Sequence, residues 1–316
     1  MNLSGRKNSD RHLQPQSRVE VDHGALRQNI AALQRLTSDN TRMMAVLKAN
    51  AYGHGAVPVA KTVLDCGASS LAVARISEAV ELRNAGFTVP ILLFGETLPD
   101  QAAYMATNEI RATVTGFDQA KALSDRMLSE GKTLNVHIKL DTGMGRLGMV
   151  HDSLLTDMDL PGVIQHIVAI QALKGIHVEG MYTHMAKSDE ADKTFARNQI
   201  RRFKETADEL TRMGVRPEIL HAANSAGVME LPESHFDMVR PGIALYGLWP
   251  SGDMDRNRMS LAPAMTIRSR IIQVKQVPKG FGVSYGITHV TSDPTAIATV
   301  PIGYADGYSR RLSNRG

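Results

Sequence analysis

Lys48 closes a short apolar run, Met43 to Leu47, and is followed at once by the small-residue string Ala49-Asn50-Ala51-Tyr52-Gly53-His54-Gly55. A run that short and that apolar reads as a buried strand, and the two glycines permit a tight turn and the close approach of a ligand. An ammonium without a partner is unfavourable at such a place, so this lysine is expected to have a lowered pKa or a covalent attachment. The plain alternative is a stem packed on the strand end with its head in water. Other polar groups stand at comparable positions. Tyr52 follows the same run, Arg146 lies in a loop after a later one, and His184 ends another. Asn224 and Ser225 follow the next, and Arg240 ends the last, with Pro241-Gly242-Ile243 behind it. Singly, each has an ordinary role open to it: His184 as a core histidine, Ser225 as a helix cap, Arg240 paired with Asp237 or Glu230, Tyr52 as packing. Together they outline a pocket for an anionic, aromatic ligand and point to carbonyl chemistry through a Schiff base. Ser225 and the backbone at Gly242 and Ile243 suit a phosphate.

Other chemistries are disfavoured. The eleven histidines do not pair at ligand spacings, and one cysteine makes a zinc cluster a poor reading. Ser/His/Asp hydrolysis would call for a nucleophile elbow at a strand-to-helix turn, and the Gly-x-Ser-x-Gly string that does occur, Gly282 to Gly286, stands in a β-rich stretch without helical period.

Eight short runs could carry these groups: Met43 to Leu47, Ser70 to Ala74, Pro90 to Phe94, Ala112 to Thr115, Asn135 to Leu140, Gly180 to His184, Glu218 to Ala222 and Asp237 to Arg240. Segments of helical period separate them, including Ala56 to Leu64, Ile76 to Ala85, Asp118 to Leu128 and Asp189 to Met213. The last is bracketed by Ser188 as N-cap and Gly214 as stop, and Asp22 caps an earlier helix carrying Leu26, Ile30 and Leu33. Strand and helix in alternation argue for βαβ units, and eight of them for a closed (β/α)8 barrel over residues 19–250, with an open doubly wound sheet as the alternative. After Leu248 the pattern turns β-rich: Met265 to Lys275 alternates, Gly280 and Gly282 mark a turn, and Ala296 to Ile302 is apolar. Residues 251–316 therefore read as part of a C-terminal β domain, and residues 1–18 as a polar leader. The opening strand, Val19 to Val21, belongs either to the barrel or to the β domain.

At 316 residues with 43% hydrophobic and 22% charged, the chain has a globular profile and room for a large core. Its net charge of +4 is spread along the sequence, which argues against a nucleic-acid partner. Residues 1–18, polar and charged, are expected to be neither a secretory signal nor a membrane anchor, no uncharged apolar run reaches bilayer-spanning length, and a single cysteine, Cys66, suits a reducing compartment. The expected location is the cytoplasm.

Seven blocks resemble, in order, those of the pyridoxal-phosphate-dependent alanine racemases. They are Ala45 to Gly55, Lys139 to Gly148, Tyr182-Thr183-His184, His221 to Ser225, Val239 to Gly247, Val283-Ser284-Tyr285-Gly286 and Ile302 to Gly307. The resemblance implies an N-terminal (β/α)8 barrel, a C-terminal β domain and a homodimer with shared active sites. It implies pyridoxal 5′-phosphate held as a Schiff base by Lys48, and interconversion of L- and D-alanine for peptidoglycan by two bases, Lys48 for the D-enantiomer and Tyr285 of the other subunit for the L-enantiomer. By the same resemblance Tyr52, Asn224, Ser225, Gly242 and Ile243 hold the cofactor around its phosphate, Arg240 faces the pyridine nitrogen and His184 packs on the ring. Arg146 touches the cofactor and steers substrate with Tyr304, while Lys139, often carbamylated in the family, positions Arg146. The family's chains normally run past the position of Gly316, so the resemblance also implies a shortened β domain with exposed strand edges. Two other readings stand beside this one: another amino-acid racemase, such as one for serine, on the same barrel, and a non-catalytic pyridoxal-phosphate-binding protein.

Overall fold

The computed structural model describes residues 15–155 and 162–315. Most of the expected polar leader, residues 1–14, lies outside the described residues. Strand β1 (Ser17–Val21) opens the described chain. It is followed by β2 (Arg42–Val46), β3 (Ser70–Val73), β4 (Ile91–Leu93), β5 (Ile110–Val114), β6 (Leu134–Asp141), β7 (Met149–Val150), β8 (Ile176–Tyr182), β9 (Ile219–His221) and β10 (Met238–Val239). Later come β11 (Met265–Ser269), β12 (Gln273–Val277), β13 (Gly282–Val283), β14 (His289–Val290) and β15 (Thr295–Thr299). The chain separates into two compact units, residues 22–264 and residues 15–21 with 265–315.

In the larger unit the strand order is β5-β4-β3-β2-β10-β9-β8-β6, all parallel, and β5 also pairs with β6. The sheet thus closes into an eight-stranded barrel, as the count of eight apolar or alternating runs predicts, and the open sheet is excluded. Strands buried on both faces favour near-continuous apolar sequence, as in β2, β3 and β4, whereas β5, β6 and β8 interleave polar residues such as Arg111, His137 and Glu179 that pair with one another. Met44, Val46, Ala72, Leu92, Tyr182, Ile219 and Met238 pack together, with Tyr52 and Phe94 against them.

Helices fill the intervals. Asp22 caps His23–Gln34, its Oδ1 accepting from Gly24 N at 2.7 Å and Ala25 N at 3.2 Å, and that helix buries Leu26, Ile30 and Leu33. The long amphipathic helix begins later than its pattern predicts, at Thr194, and ends at Arg212 before Gly214 in the left-handed region. Ser188 does not cap it. Its hydroxyl is buried against the Asn224 side chain at 2.9 Å, and the Lys193 ammonium bonds to the carbonyls of Ser188 and Glu190 and pairs with Glu230, holding the intervening segment as a loop.

In the smaller unit β1 pairs antiparallel with β11, Ser17 opposite Ser269 and Val21 opposite Met265, so the opening strand groups with the β-rich segment. The units divide after Val21 and Ala264, where the sequence pattern drew its edges at 19 and 250. Met265 to Lys275 is not one strand: β11 serves β1 while β12 pairs with β15, and the backbone breaks between them at residues 270–272. A third pair, β13 with β14, frames the segment holding Tyr285.

Candidate active site

Lys48 follows β2 directly and enters a backbone turn of unusual hand. Ala49, Asn50, Ala51 and Tyr52 all have φ near +53°, and the first three have ψ near +50°, a left-handed turn ended by Gly53 at φ 85°. For L-residues this conformation costs roughly 1–2 kcal/mol each. Specific bonds hold it. Glu78 accepts from Ala49 N at 2.6 Å and also from Ala74 N and Arg75 N at 2.8 and 3.0 Å, tying the loop after β2 to the loop after β3. Asn50 Oδ1 accepts from Ala56 N at 2.7 Å, which joins the turn to the helix Ala56–Asp65. Glu78→Ala removes a charged acceptor from three donors and is expected to destabilise the chain by about 1.5–3 kcal/mol. Denaturant unfolding measures that loss, and an unchanged midpoint would show that the carboxylate does not hold the turn.

Above the strand ends lies a cavity of about 490 Å³, within the range of small-molecule sites. Lys48, Tyr52, Lys139, Arg146, His184, Asn224, Ser225, Arg240, Gly242 and Ile243 all line it, so ten of the twelve residues singled out from sequence meet at one place. Tyr285 and Tyr304 do not line it. They lie on the β unit, 88% and 66% exposed. Four of the cavity's side chains are basic, Lys48, Lys139, Arg146 and Arg240, against one carboxylate, Asp189. Such a site calls for an anionic ligand.

At one side of the cavity Ser225 Oγ accepts from Gly242 N at 2.9 Å and Ala244 N at 3.2 Å, drawing hydroxyl and backbone donors together. A Cβ on Gly242 would stand 2.6 Å from the Tyr52 hydroxyl, so only glycine lets that phenol reach this backbone. The Tyr52 and Ser225 hydroxyls and the Gly242 backbone thus meet at one side of the cavity. Asn224 Oδ1 accepts from Gly227 N at 2.9 Å, capping the helix Ser225–Glu230.

Arg240 is buried and pairs with neither Asp237 nor Glu230. Its Nη1 donates to His221 Nδ1 at 2.9 Å, and its Nη2 to the carbonyls of Thr183 at 2.7 Å and Ala222 at 3.1 Å. Burial draws its guanidinium down only to about 10, so it stays charged at neutral pH. Tyr182 sits beneath it, the guanidinium 5.2 Å from the ring centre, and burial pushes that phenol up to about 12. His184 is held well below its ordinary pKa by burial and by Arg240, so its imidazole is neutral. Lys48 is lowered by burial and by Arg146, with Glu78 opposing.

Lys139 points into the barrel, donating to the carbonyl of Leu140 at 3.0 Å. Burial, and then Arg240, bring its ammonium down to about 7. Next to it Asp141 accepts from Gly143 N, Met144 N and Gly145 N at 2.9, 2.8 and 2.9 Å, shaping the loop that bears Arg146. Because the Lys139 pKa is lower folded than unfolded, the unfolded chain binds more protons between about pH 7 and 10.5. Stability from this group therefore rises with pH across that window, by up to about 1.4 kcal/mol per unit, and is flat below it. Lys139→Met should flatten the rise in unfolding free energy between about pH 7 and 9.5 in the protein without cofactor. Equal slopes for both proteins would contradict the buried amine.

Sequence inspection passed over Glu78, Asp141, Tyr182 and His221 as individual residues, although three of them stand inside quoted blocks. Each acts on a neighbour distant in sequence or on backbone N–H groups, and neither leaves a spacing signal. A closed parallel barrel with a basic cavity at the ends of its strands has the architecture of a (β/α)8 enzyme. A family model described as the alanine racemase N-terminal domain matches residues 21–250, and one described as the alanine racemase C-terminal domain matches residues 264–316. The alanine racemase of Desulforamulus reducens is 46% identical over 298 residues, covering 94% of this chain and 78% of that protein. The solved alanine racemase of Clostridium difficile 630 superposes with a TM-score of 0.86 at 38% identity, over 94% of this chain and 76% of that one. A histidine racemase from Leuconostoc mesenteroides subsp. sake superposes at 0.82 with 29% identity, over 94% and 77%. The chain belongs to the alanine racemase family.

Proposed function

We propose that this chain interconverts L- and D-alanine with pyridoxal 5′-phosphate as cofactor, in the cytoplasm, supplying D-alanine for peptidoglycan. The observation that carries the reading is the cavity in which a strand-end lysine, a buried arginine and the hydroxyls of Tyr52 and Ser225 beside the Gly242 backbone converge. The residues fit the cofactor. Tyr52, Ser225, Gly242 and Ile243 would hold its phosphate, with Asn224 capping the helix that presents Ser225. Arg240 would face its ring nitrogen, His184 would lie against the ring, and Lys48 would take its carbonyl. When bound, the cofactor supplies a carbonyl for amines and an electron-withdrawing ring that acidifies the substrate Cα–H.

The protein's share is proton handling and orientation. Inversion needs a proton removed from one face of a planar carbon and returned to the other, hence two groups on opposite sides. Lys48, with its lowered pKa, serves the D-enantiomer. Tyr285 serves the L-enantiomer from the β unit of a second copy, and Tyr304 of that copy contacts substrate with Arg146. Both tyrosines are exposed on their own unit, as shared use requires. A neutral Lys139 amine is the form that takes up carbon dioxide, and we assign its carbamate the task of setting Arg146.

Incubating the chain with cofactor and L-alanine in heavy water tests the proposal. Deuterium at Cα together with D-alanine is expected, and the absence of deuterium uptake would remove catalysis. The similarity to a histidine racemase supports a second reading, a racemase for another amino acid, which the same assay with serine and histidine decides. No helix among the described residues is long and apolar enough to cross a membrane.

A further inference from the structure

Behind Arg240 a line of buried hydrogen bonds crosses the barrel interior. Arg240 Nη1 meets His221 Nδ1 at 2.9 Å, His221 Nε2 meets His137 Nδ1 at 2.8 Å, and His137 Nε2 meets Glu179 Oε2 at 3.2 Å. Glu179 is gripped in turn by Arg111, from Nε at 2.9 Å and Nη2 at 3.3 Å, and Arg111 Nη1 is paired with Glu109 at 2.6 Å. The line ends at a second, smaller cavity of about 80 Å³, lined by Arg42, Ser70, Arg111, His137 and Glu179. Arg42, Ser70 and Arg111 stand at or next to the first residues of β2, β3 and β5, so this cavity lies at the opposite mouth of the barrel from Lys48.

Only one arrangement of protons satisfies the line. An arginine donates and never accepts, so His221 Nδ1 must be bare. His221 is fully buried beside Arg240 and neutral, so its one proton sits on Nε2 and is donated to His137 Nδ1. That nitrogen is then bare as well, and the His137 proton sits on Nε2, donated to the Glu179 carboxylate. A charged His137 would set its Nδ1–H against the Nε2–H of His221, or force His221 to turn an N–H toward Arg240. Burial opposes ionisation of Glu179, but hydrogen bonds from His137 and Arg111 prevail and bring its carboxyl to about 2. The backbone is shaped for this seat. A Cβ on Gly180 would stand 2.5 Å from His137 Nδ1, and the pairing of β6 with β8 shifts register between Val136 and His137.

We propose that Glu179 and His137 are positioning residues for the pyridoxal phosphate site: by fixing both histidine protons in one direction, they hold the Nη1 of Arg240 on His221 and leave its Nε–H for the cofactor ring. Among the described residues that Nε makes no hydrogen bond, while both Nη groups are engaged. The proposal rests on the cofactor reading above, but its first test does not. In the full chain labelled with ¹⁵N-histidine, without cofactor, His137 and His221 should both be Nε2–H tautomers with bare Nδ1. A proton on Nδ1 of either ring overturns the proposal, whatever the activity proves to be.

The second test is Glu179→Met. His137 Nε2 and Arg111 Nε donate to the same oxygen of Glu179, so a glutamine oxygen could still serve both, whereas methionine leaves no strong acceptor. The His137 Nε2–H then loses its partner, and the line is no longer fixed from its far end. Both rings should show mixed tautomers, and pyridoxal phosphate affinity, read by the absorbance of the bound cofactor, should fall about tenfold. Glu179→Asp, which keeps the carboxylate, should keep the original tautomers. Unchanged tautomers in a folded Glu179→Met protein, or tautomers that change without any loss of affinity, would sink the assignment.

Discussion

Lys48→Ala is expected to lower alanine racemisation by about four orders of magnitude or more, the upper end of what a positioned proton-transfer group contributes. The substitution removes two functions at once. It takes the only lysine at the β2 strand end out of the cavity, so borohydride treatment should no longer fix the cofactor to the peptide containing residue 48. It also removes the proton acceptor proposed for the D-enantiomer. The variant should therefore still exchange the α-proton of L-alanine in heavy water, slowly, with almost no D-alanine formed. Little disruption of the fold is expected, because the turn is held by Glu78 and Asn50 and not by the lysine head. If racemisation survived within about tenfold, the lysine would be a packing residue after all.

Tyr285→Phe should give the mirror result. D-Alanine should keep exchanging its α-proton through Lys48 while inversion falls by about 10²–10⁴-fold. Tyr285 is 88% exposed on its unit and removing its hydroxyl leaves no buried group unpaired, so unfolding measurements should not distinguish the variant from the parent. That separation of stability from activity makes the measurement informative. Equal losses of exchange for both enantiomers would mean that the phenol orients substrate without moving a proton. Mixing Tyr285→Phe with Lys48→Ala adds a test of sharing. If each site joins Lys48 of one copy to Tyr285 of another, mixed dimers recover one intact site and hence activity that neither variant has alone.

The barrel was readable because its strands are short apolar or alternating runs separated by segments of helical period, ended by polar groups that mark one mouth. Lys48, His184 and Arg240 were found in that way, at the ends of runs. The β unit was read less well. Its strands are mostly exposed, as at Ile267 and Val274, and alternation alone could not show that residues 270–272 break one apparent strand into two. Ser188 looked like a helix cap because cap chemistry is local. Its actual partner, Asn224, is 36 residues away and invisible to a pattern. The buried histidine line fails to show for the same reason: His137 and His221 are 84 positions apart, and each looks like an ordinary core residue within its own strand. Family blocks place His221 near a motif, but they do not say which ring nitrogen holds the proton.

The turn from Ala49 to Tyr52 has a consequence in terms of chirality. Four L-residues there occupy the backbone region natural to D-residues, and the two alanines and the asparagine have the least side chain to object. β-Branched residues are shut out of positions 49 to 51 by handedness alone, whatever space surrounds them. A semisynthetic chain with D-alanine at 49 and 51 would meet no such penalty. The loop that carries Lys48 is thus set by the mirror-image geometry of its own backbone.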